Sequence, residues 1–184
     1  MVSLGDNEII EGLKRGDDEC FYSLVDLYKK RVVSLCYSYT HDYHEAEDLS
    51  QEVFLKLYKT INKFRGESSL STYIYRITIS SCIDYKRKKS LKNFLTGLKL
   101  ENKSQEIEDL DEKRYIRQCI LNLPEELKTP VVLYYYIGLT HKEIGEVLNI
   151  SSKTVEGRIY RAKIKLKSEL DREGYSLCSK SGMI

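Results

Sequence analysis

The chain has 184 residues, a length that fits one ordinary domain or two small ones. Its hydrophobic fraction of 41% is normal for a globular protein, and no window approaches the roughly 18 uncharged apolar residues of a membrane-spanning helix, so we expect no direct membrane insertion. The net charge of +2 does not by itself indicate a nucleic-acid partner, and the N-terminus does not resemble a secretion signal, so we expect a cytoplasmic protein.

Two helices are predicted in the first sixty or so residues. Apolar side chains recur three or four positions apart over residues 21–36, which places them on one face of an amphipathic helix. Asp42 and Glu45 have the spacing of a capping box, in which each side chain binds a backbone N–H of the other residue. They open a second helix, whose apolar stripe continues to Ile61 and which Gly66 is expected to end.

A third helix is predicted over residues 73–81, from which it runs into the basic cluster Lys86–Lys89. Residues 1–89 are therefore expected to form one all-helical bundle. Residues 90–109 mix glycine, asparagine, serine and charged residues without clean periodicity, which is typical of a flexible linker.

Helical periodicity resumes in residues 110–172, which we expect to form a second domain, followed by a polar tail at residues 173–184. Pro124 should start a helix, because proline is tolerated at a helix N-terminus. Pro130 should either kink that helix or lie in its first turn, and Gly138 should end it as a left-handed cap. The predicted fold class is all-α, with two small helical domains joined by the linker.

The last fifty residues have the pattern of a helix-turn-helix. Thr140 and Glu143 form a second capping box that opens a short helix, and the turn Asn149–Ser151 leads to a final helix capped by Ser151. The final helix should turn its apolar residues inward; these are Val155, Ile159, Ala162 and Leu166. The outer face of this helix carries short side chains near its N-terminus and Lys and Arg side chains further along. A helix in the DNA major groove requires this arrangement, because its N-terminal residues reach base edges and its later cations bind phosphates.

Two separate sets of motifs resemble one protein family. Three segments resemble region 2 of sigma-70 family factors: DLSQEVFLKL at 48–57, LSTYIYRI at 70–77 and DYKR at 84–87. Three later segments resemble region 4 of the same factors: LPEE at 123–126, GLTHKEIGEVL at 138–148 and TVEGRIYRA at 154–162. The resemblance covers about residues 15–170 and leaves no room for other sigma regions, which is typical of the compact extracytoplasmic-function (ECF) subfamily.

The resemblance to region 2 implies that Asp48, Gln51 and Glu52 bind core RNA polymerase at the coiled coil of its largest subunit. It also implies a loop that captures a flipped base of the minus-10 element. The helix after this loop is expected to bind the melted strand by stacking on bases and by phosphate contacts, which extend along the helix as far as Lys89. Tyr73 and Ser80 stand where many members have Trp and Asn. The residues predicted to bind minus-10 DNA are Arg65, Gly66, Glu67, Ser68, Ser69, Tyr73, Tyr75, Arg76, Lys86 and Arg87.

The resemblance to region 4 implies a recognition helix for the minus-35 element. Base contacts are predicted for Glu156, Tyr160 and Arg161. Glu156 stands where relatives often have a cation, and its carboxylate can accept a hydrogen bond from cytosine N4. The other predicted minus-35 contacts are Lys153, Thr154, Gly157, Arg158 and Lys163.

Family membership further implies three partners: core RNA polymerase, promoter DNA and an anti-sigma factor. The anti-sigma factor is often membrane-anchored in this family, so the protein could be membrane-associated through it. No small-molecule substrate is implied.

An enzyme is the first alternative, but it is not predicted. No GxxxxGK, GxSxG or HExxH motif occurs, and His41, His44 and His141 show no pattern beyond the proximity of the first two. The five cysteines are scattered without CxxC or CxxH spacing, so no metal or other cofactor is expected. Four of them should be apolar fillers, and Cys178 in the tail should be an exposed thiol.

An autonomous repressor or activator is the second alternative. It would use the same helix-turn-helix, with the N-terminal bundle as a dimerisation or sensor module. Such a protein should bind duplex promoter DNA alone, whereas a sigma factor should do so poorly without core polymerase.

Overall fold

The computed structural model describes residues 6–96 and 112–172, and within those two ranges every regular element is helical. The predicted all-α class is confirmed. The chain divides into two compact units, with the main change along the sequence at Lys89–Ser90. The predicted tail with Cys178, and most of the predicted linker, lie outside the described residues. None of the described helices combines the length and apolarity needed to span a membrane.

The first unit contains four α-helices and a short 3-10 turn. They are α1 (Asp6–Lys14), α2 (Asp18–Thr40), α3 (Tyr43–Thr60), the 3-10 turn Ile61–Lys63, and α4 (Leu70–Thr96). Apolar side chains of α2, α3 and α4, together with the turn, form its core. The largest fully buried ones are Leu24, Val32, Leu35, Val53, Leu57, Ile61, Leu70, Ile74 and Tyr75.

Helix α1 has no counterpart among the sequence predictions. It is only 9 residues long, so a period is hard to recognise, and it depends on packing for stability. Its Ile9, Ile10 and Leu13 are buried, and a Cβ on Gly12 would collide with the Sγ of Cys20 in α2. The absence of a side chain at Gly12 therefore allows α1 to pack directly on α2.

The predicted capping box of α3 is only half formed. The Asp42 carboxylate accepts a hydrogen bond from the backbone N–H of Glu45 at 2.9 Å, as expected. The backbone N–H of Asp42 donates to the Thr40 hydroxyl at 3.3 Å instead of to Glu45. The Glu45 carboxylate is bound by Tyr85 and Lys89 of α4, so a tertiary contact has replaced the local one.

The boundaries of the next elements also differ from the prediction. Helix α3 ends at Thr60 and Gly66 lies in the following loop, where its φ of 74° requires the left-handed conformation that glycine favours. Helix α4 continues to Thr96, seven residues past Lys89. The added stretch includes Leu91, Lys92 and Leu95, and leucine and lysine are good helix formers even where they show no amphipathic period.

The predicted role of the cysteines as apolar fillers is confirmed for Cys20, Cys36 and Cys82, which are buried in the first unit. Cys119 in the second unit is only half-buried.

The second unit contains four α-helices and one π-helical segment. They are α5 (Glu112–Leu121), α6 (Glu125–Val131), the π-helical segment Val132–Ile137, α7 (His141–Leu148) and α8 (Ser152–Arg172). Leu133, Ile144 and Val155 are its largest fully buried side chains. Burial of each such side chain stabilises a fold by about 1.5–3 kcal/mol.

The predictions for Pro124 and Gly138 are confirmed, and for Pro130 the first-turn alternative is excluded. Pro124 is the N-terminal cap of α6, and Gly138 ends the π-helical segment with a φ of 84°. Pro130 is buried near the end of α6 rather than in a first turn. Because proline has no N–H to bind the carbonyl four residues earlier, it disturbs the α pattern, and the wider π-helical turns begin two residues later.

Candidate functional surfaces

The outward side of α3 carries all three residues predicted to bind polymerase. Asp48, Gln51 and Glu52 are exposed, while Leu49, Val53 and Leu57 of the same helix are buried. The spacing of three and four residues places the exposed set on one helix face, which we call the α3 face.

Sequence reasoning missed one member of this surface. Leu55 lies four residues after Gln51 and three after Glu52, so it shares the α3 face, and it is 55% exposed. Its position within a polar stripe was visible in the sequence, but an apolar residue in a helix is normally assigned to the core. The α3 face therefore combines acidic side chains with an exposed apolar one.

The predicted base-capturing loop lies between α3 and α4. Arg65, Gly66, Glu67 and Ser69 are exposed and Ser68 is half-buried. The Ser69 hydroxyl is engaged in starting α4, since it accepts a hydrogen bond from the backbone N–H of Thr72 at 3.1 Å. It also lies 2.9 Å from the Ser71 hydroxyl. Ser69 therefore orders the loop end, and Arg65, Glu67 and Ser68 carry the other polar side chains of the loop.

Tyr73 is half-buried and joins α4 to the end of α3. Its hydroxyl donates to the Thr60 carbonyl at 3.1 Å, and its ring centroid lies 5.0 Å from that of Phe64. The ring is therefore held in place next to the loop.

The prediction for Tyr75 requires a correction. Tyr75 is only 1% exposed, and its ring packs edge-on against Tyr28 with centroids 6.3 Å apart. Tyr75 lies three residues after Thr72 and four before Ile79, which are both buried, so helical spacing turns it inward and its faces are not available for stacking on a base. Tyr75 is a core residue of the first unit.

The exposed side of α4 is a cationic stripe with one apolar member. Arg76, Ser80, Ile83 and Arg87 follow each other at intervals of three or four residues, and all are exposed, Ile83 by 52%. Lys86 is exposed beside them. We call this set, including Lys86, the α4 face.

The residues of the basic cluster Lys86–Lys89 differ in their exposure and in their contacts. Lys86, Arg87 and Lys88 are exposed, and Arg87 has only a solvent-exposed contact with Asp84 at 3.2 Å. Lys89, in contrast, is half-buried and bound to Glu45 at 2.7 Å.

The predicted helix-turn-helix in the second unit has both of its caps. The backbone N–H and the hydroxyl of Thr140 donate to the Glu143 carboxylate at 2.8 and 2.7 Å, and the Glu143 N–H donates back to the hydroxyl at 3.3 Å. These hydrogen bonds lower the pKa of Glu143, so its carboxylate stays ionised in the cap at neutral pH. The Ser151 hydroxyl accepts from the Thr154 N–H at 3.0 Å and starts α8. The predicted capping box and N-cap are confirmed.

The turn between α7 and α8 is tight. Asn149 adopts a φ of 55°, and the backbone N–H of Ile150 donates to the Gly145 carbonyl at 3.0 Å. A Cβ on Gly145 would lie 2.7 Å from the Ile150 carbonyl oxygen. The turn therefore requires glycine at position 145, and it sets the direction in which α8 leaves α7.

Helix α8 buries Val155, Ile159 and Ala162 as predicted, with Leu166 half-buried and Leu170 buried further along. The opposite side carries the predicted minus-35 residues. Arg158 is half-buried, and the exposed ones are Lys153, Thr154, Glu156, Gly157, Tyr160, Arg161 and Lys163. These side chains therefore lie on the outer and flanking surface of one helix.

Three of these side chains show how the surface is arranged. Tyr160 is 64% exposed. The Nε of Arg161 donates to the Gly157 carbonyl at 3.4 Å, which orients the guanidinium along the helix. The Nζ of Lys163 lies 5.6 Å from the ring centroid of Tyr135, a cation–π contact with the π-helical segment that sequence reasoning did not anticipate.

Within residues 6–96 and 112–172, no three or more His, Cys, Asp or Glu side chains are grouped as a metal site.

Comparison with known protein families gives two matches. Residues 24–92 match Sigma-70 region 2, and residues 113–166 match Sigma-70, region 4. Together the two matches span more than half of the chain.

Individual relatives are similar over nearly their whole length. The ECF RNA polymerase sigma factor SigW of Bacillus subtilis (strain 168) is 35% identical over 176 residues, covering 88% of this chain and 94% of that protein. The ECF RNA polymerase sigma-E factor of Escherichia coli (strain K12) is 31% identical over 176 residues, covering 87% of this chain and 91% of that protein.

Two solved structures share the fold. One is CnrH in complex with the cytosolic domain of CnrY, with a TM-score of 0.70, 21% identity and coverage of 91% of this chain and 98% of that chain. The other is the sigma factor RpoE in complex with the anti-sigma factor NepR from Bartonella quintana, with a TM-score of 0.69, 18% identity and coverage of 82% and 96%.

Proposed function

Since the chain belongs to the sigma-70 family of RNA polymerase sigma factors, in its ECF subfamily, we propose that it binds core RNA polymerase and directs transcription from specific promoters. The observation that carries this proposal is the presence of both family regions in one chain, each with an exposed surface of suitable chemistry. A helix-turn-helix alone supports only DNA binding.

The polymerase contact is proposed for the α3 face. Asp48 and Glu52 supply negative charge, which would steer an encounter with a basic partner surface and fix its register. Gln51 adds a hydrogen-bonding group and Leu55 an apolar contact that can be dehydrated on binding. A purely solvated helix would not require Leu55 at this position.

The minus-10 contact is proposed for the loop before α4 and for the α4 face. Arg65, Glu67 and Ser68 offer polar groups for the edge of a flipped base. Arg76, Lys86 and Arg87 would bind phosphates of the melted strand. Tyr75 is left out of this surface because it is buried.

The minus-35 contact is proposed for the outer side of α8. Glu156, Tyr160 and Arg161 lie on the first turns, from which a recognition helix reaches base edges in the major groove. Lys153, Thr154, Arg158 and Lys163 flank them and suit the phosphate backbone, and Gly157 allows a close approach.

We propose a division of labour along the chain that follows from these surfaces. Residues 1–89 would bind polymerase and melt the minus-10 element, and residues 110–172 would bind the minus-35 element. Residues 90–109 would link the two domains and residues 173–184 would form a tail. The two family matches, at 24–92 and 113–166, support this division.

An anti-sigma factor is proposed as the third partner. The solved structure of RpoE from Bartonella quintana is a complex with the anti-sigma factor NepR. The exposed apolar residues Leu55 and Ile83 on the α3 and α4 faces are suitable for a protein that covers these surfaces. We propose that the protein acts in the cytoplasm, where a membrane-anchored anti-sigma factor would hold it inactive. No catalytic role is proposed.

Reconstituted transcription tests the proposed function. Purified protein with core RNA polymerase should start transcription at a promoter with a specific minus-10 and minus-35 pair, without ATP hydrolysis. The region upstream of its own operon is the first template to use. Tight binding of the protein alone to duplex promoter DNA, with no stimulation by core polymerase, would instead favour an autonomous repressor or activator.

Replacement of Arg161 by Ala should weaken minus-35 recognition by about 1–3 kcal/mol if the guanidinium reads a base. The loss of affinity should be largest for DNA with the native minus-35 sequence and smaller for DNA in which the base contacted by Arg161 has been changed. Lys163→Ala is the matched control, because a phosphate contact should weaken binding to all sequences alike. Equal promoter preference before and after the Arg161 change would show that Arg161 is not a base reader.

A further inference from the structure

Glu45, Tyr85 and Lys89 form a closed hydrogen-bonded cluster between α3 and α4. The Nζ of Lys89 donates to both carboxylate oxygens of Glu45, at 2.9 and 2.7 Å, and to the Tyr85 hydroxyl at 2.9 Å. The Tyr85 hydroxyl in turn donates to the Glu45 carboxylate. Each of the three side chains therefore contacts the other two.

The cluster joins parts of the first unit that are distant in sequence. Glu45 lies in the first turn of α3, one turn before Asp48, whereas Tyr85 and Lys89 are one turn apart in the C-terminal half of α4. It therefore connects the helix that bears the α3 face with the cationic half of the α4 face.

Partial burial makes the cluster more than a surface ion pair. The Lys89 and Glu45 side chains are 42% and 40% exposed, and the Lys89 ammonium also lies 5.4 Å from the Tyr85 ring centroid. Arg87, at 79% exposure, has no comparable enclosure. Exposed pairs stabilise weakly because solvent screens them and the side chains must be ordered, whereas a mutually bonded network restricts all of its members together.

The charges of the cluster are maintained at neutral pH. Partial burial opposes ionisation of Glu45, but hydrogen bonds from Lys89 and Tyr85 outweigh it and lower the pKa of Glu45. Partial burial likewise acts to lower the pKa of Lys89, and hydrogen bonds to Glu45 and Tyr85 raise it. Partial burial and the bond to Glu45 raise the pKa of Tyr85, so its hydroxyl stays protonated.

We propose that Lys89 is a positioning residue, which with Tyr85 and Glu45 holds the end of α4 on the start of α3 so that Lys86 and Arg87 face promoter DNA. This inference rests on the proposed function. The role of Lys89 then differs from that of the other lysines in the basic cluster Lys86–Lys89, each of which is expected to contact a phosphate. Because Glu45 occupies the ammonium of Lys89, that charge is already neutralised before DNA arrives.

A charge exchange distinguishes positioning from phosphate binding. Open-complex formation would be measured with holoenzymes that carry Glu45→Lys, Lys89→Glu or both substitutions. Each single substitution places like charges together and should reduce open-complex formation by about twofold or more, since coupled residues of one network show effects of at least this size. The double variant should recover to near the wild-type level, because the exchanged residues can again pair with each other and each can form a hydrogen bond with Tyr85.

Salt dependence provides the second measurement. Lys86→Met should reduce the slope of the logarithm of holoenzyme affinity for promoter DNA against the logarithm of salt concentration by about 0.7–0.9, as loss of one phosphate contact does. Lys89→Met should lower affinity without changing that slope. Tyr85→Phe, which removes only a hydroxyl, should act in the same direction as Lys89→Met, and thermal unfolding of each variant would identify any that fails to fold.

The outcomes separate this inference from the proposed function. A wild-type holoenzyme that starts no transcription would overturn the proposed function and the inference with it. An active wild type, combined with a double variant as weak as Lys89→Glu or with a reduced salt slope for Lys89→Met, would overturn the inference alone.

Discussion

The double substitution Gln51→Ala and Glu52→Ala is expected to weaken binding to core RNA polymerase by about tenfold to a hundredfold, which corresponds to about 1.4–2.8 kcal/mol. Both side chains are exposed on the α3 face, beside Asp48, so their removal should leave the core of the first unit unchanged. The loss should come from missing contacts and from weaker electrostatic steering, and part of it should therefore decrease at high salt.

The measurement is a titration of labelled protein with core polymerase, with the unfolding temperature of each variant recorded alongside. Asp26→Ala is the matched control, because it removes one exposed carboxylate from α2 and changes the net charge equally. Leu55→Ala adds a further comparison, since it should weaken polymerase binding while preserving the charge of the α3 face. Unchanged affinity of the double variant would show that the α3 face is not the polymerase contact.

The substitution Gly145→Ala is expected to destabilise the second unit by about 1–3 kcal/mol, the range found for overpacked sites. The new Cβ would lie 2.7 Å from the Ile150 carbonyl oxygen and 3.4 Å from the Ser152 nitrogen. Both are backbone atoms, one in the turn and one at the start of α8, so no side-chain rotation can relieve the contact. The turn must shift, and α8 should then present its outer surface in a different direction, with a loss of minus-35 affinity in addition to the loss of stability.

Gly157→Ala is the control for this experiment. Gly157 is also a glycine within a helix of the same unit, but a Cβ there would meet nothing within 4 Å. Alanine should therefore stabilise α8 by about 0.5–1 kcal/mol through its helix propensity. Denaturant unfolding should thus show shifts of opposite sign for the two variants. A Gly145→Ala protein as stable as the wild type would show that the turn can accept a side chain.

Local features of the chain were predictable because the interactions that produce them span only a few residues. The Thr140–Glu143 capping box, the Ser151 cap and the left-handed Gly138 each depend on residues within one helical turn. The exposed faces of α3 and α8 follow from spacing in the same way, because the residues between them are apolar and recur with the helical period. Family motifs then assigned a role to each face.

The sequence by itself thus determined an all-helical chain, the caps of its helix-turn-helix and the family to which it belongs. Only the tertiary structure decided that Tyr75 is buried, that Leu55 and Ile83 are exposed, and that Glu45 turns from its capping box to Lys89, 44 residues further along the chain. Periodicity within one helix shows which residues share a face. It does not show which distant group competes for a side chain, because that competition arises only when two helices pack against each other.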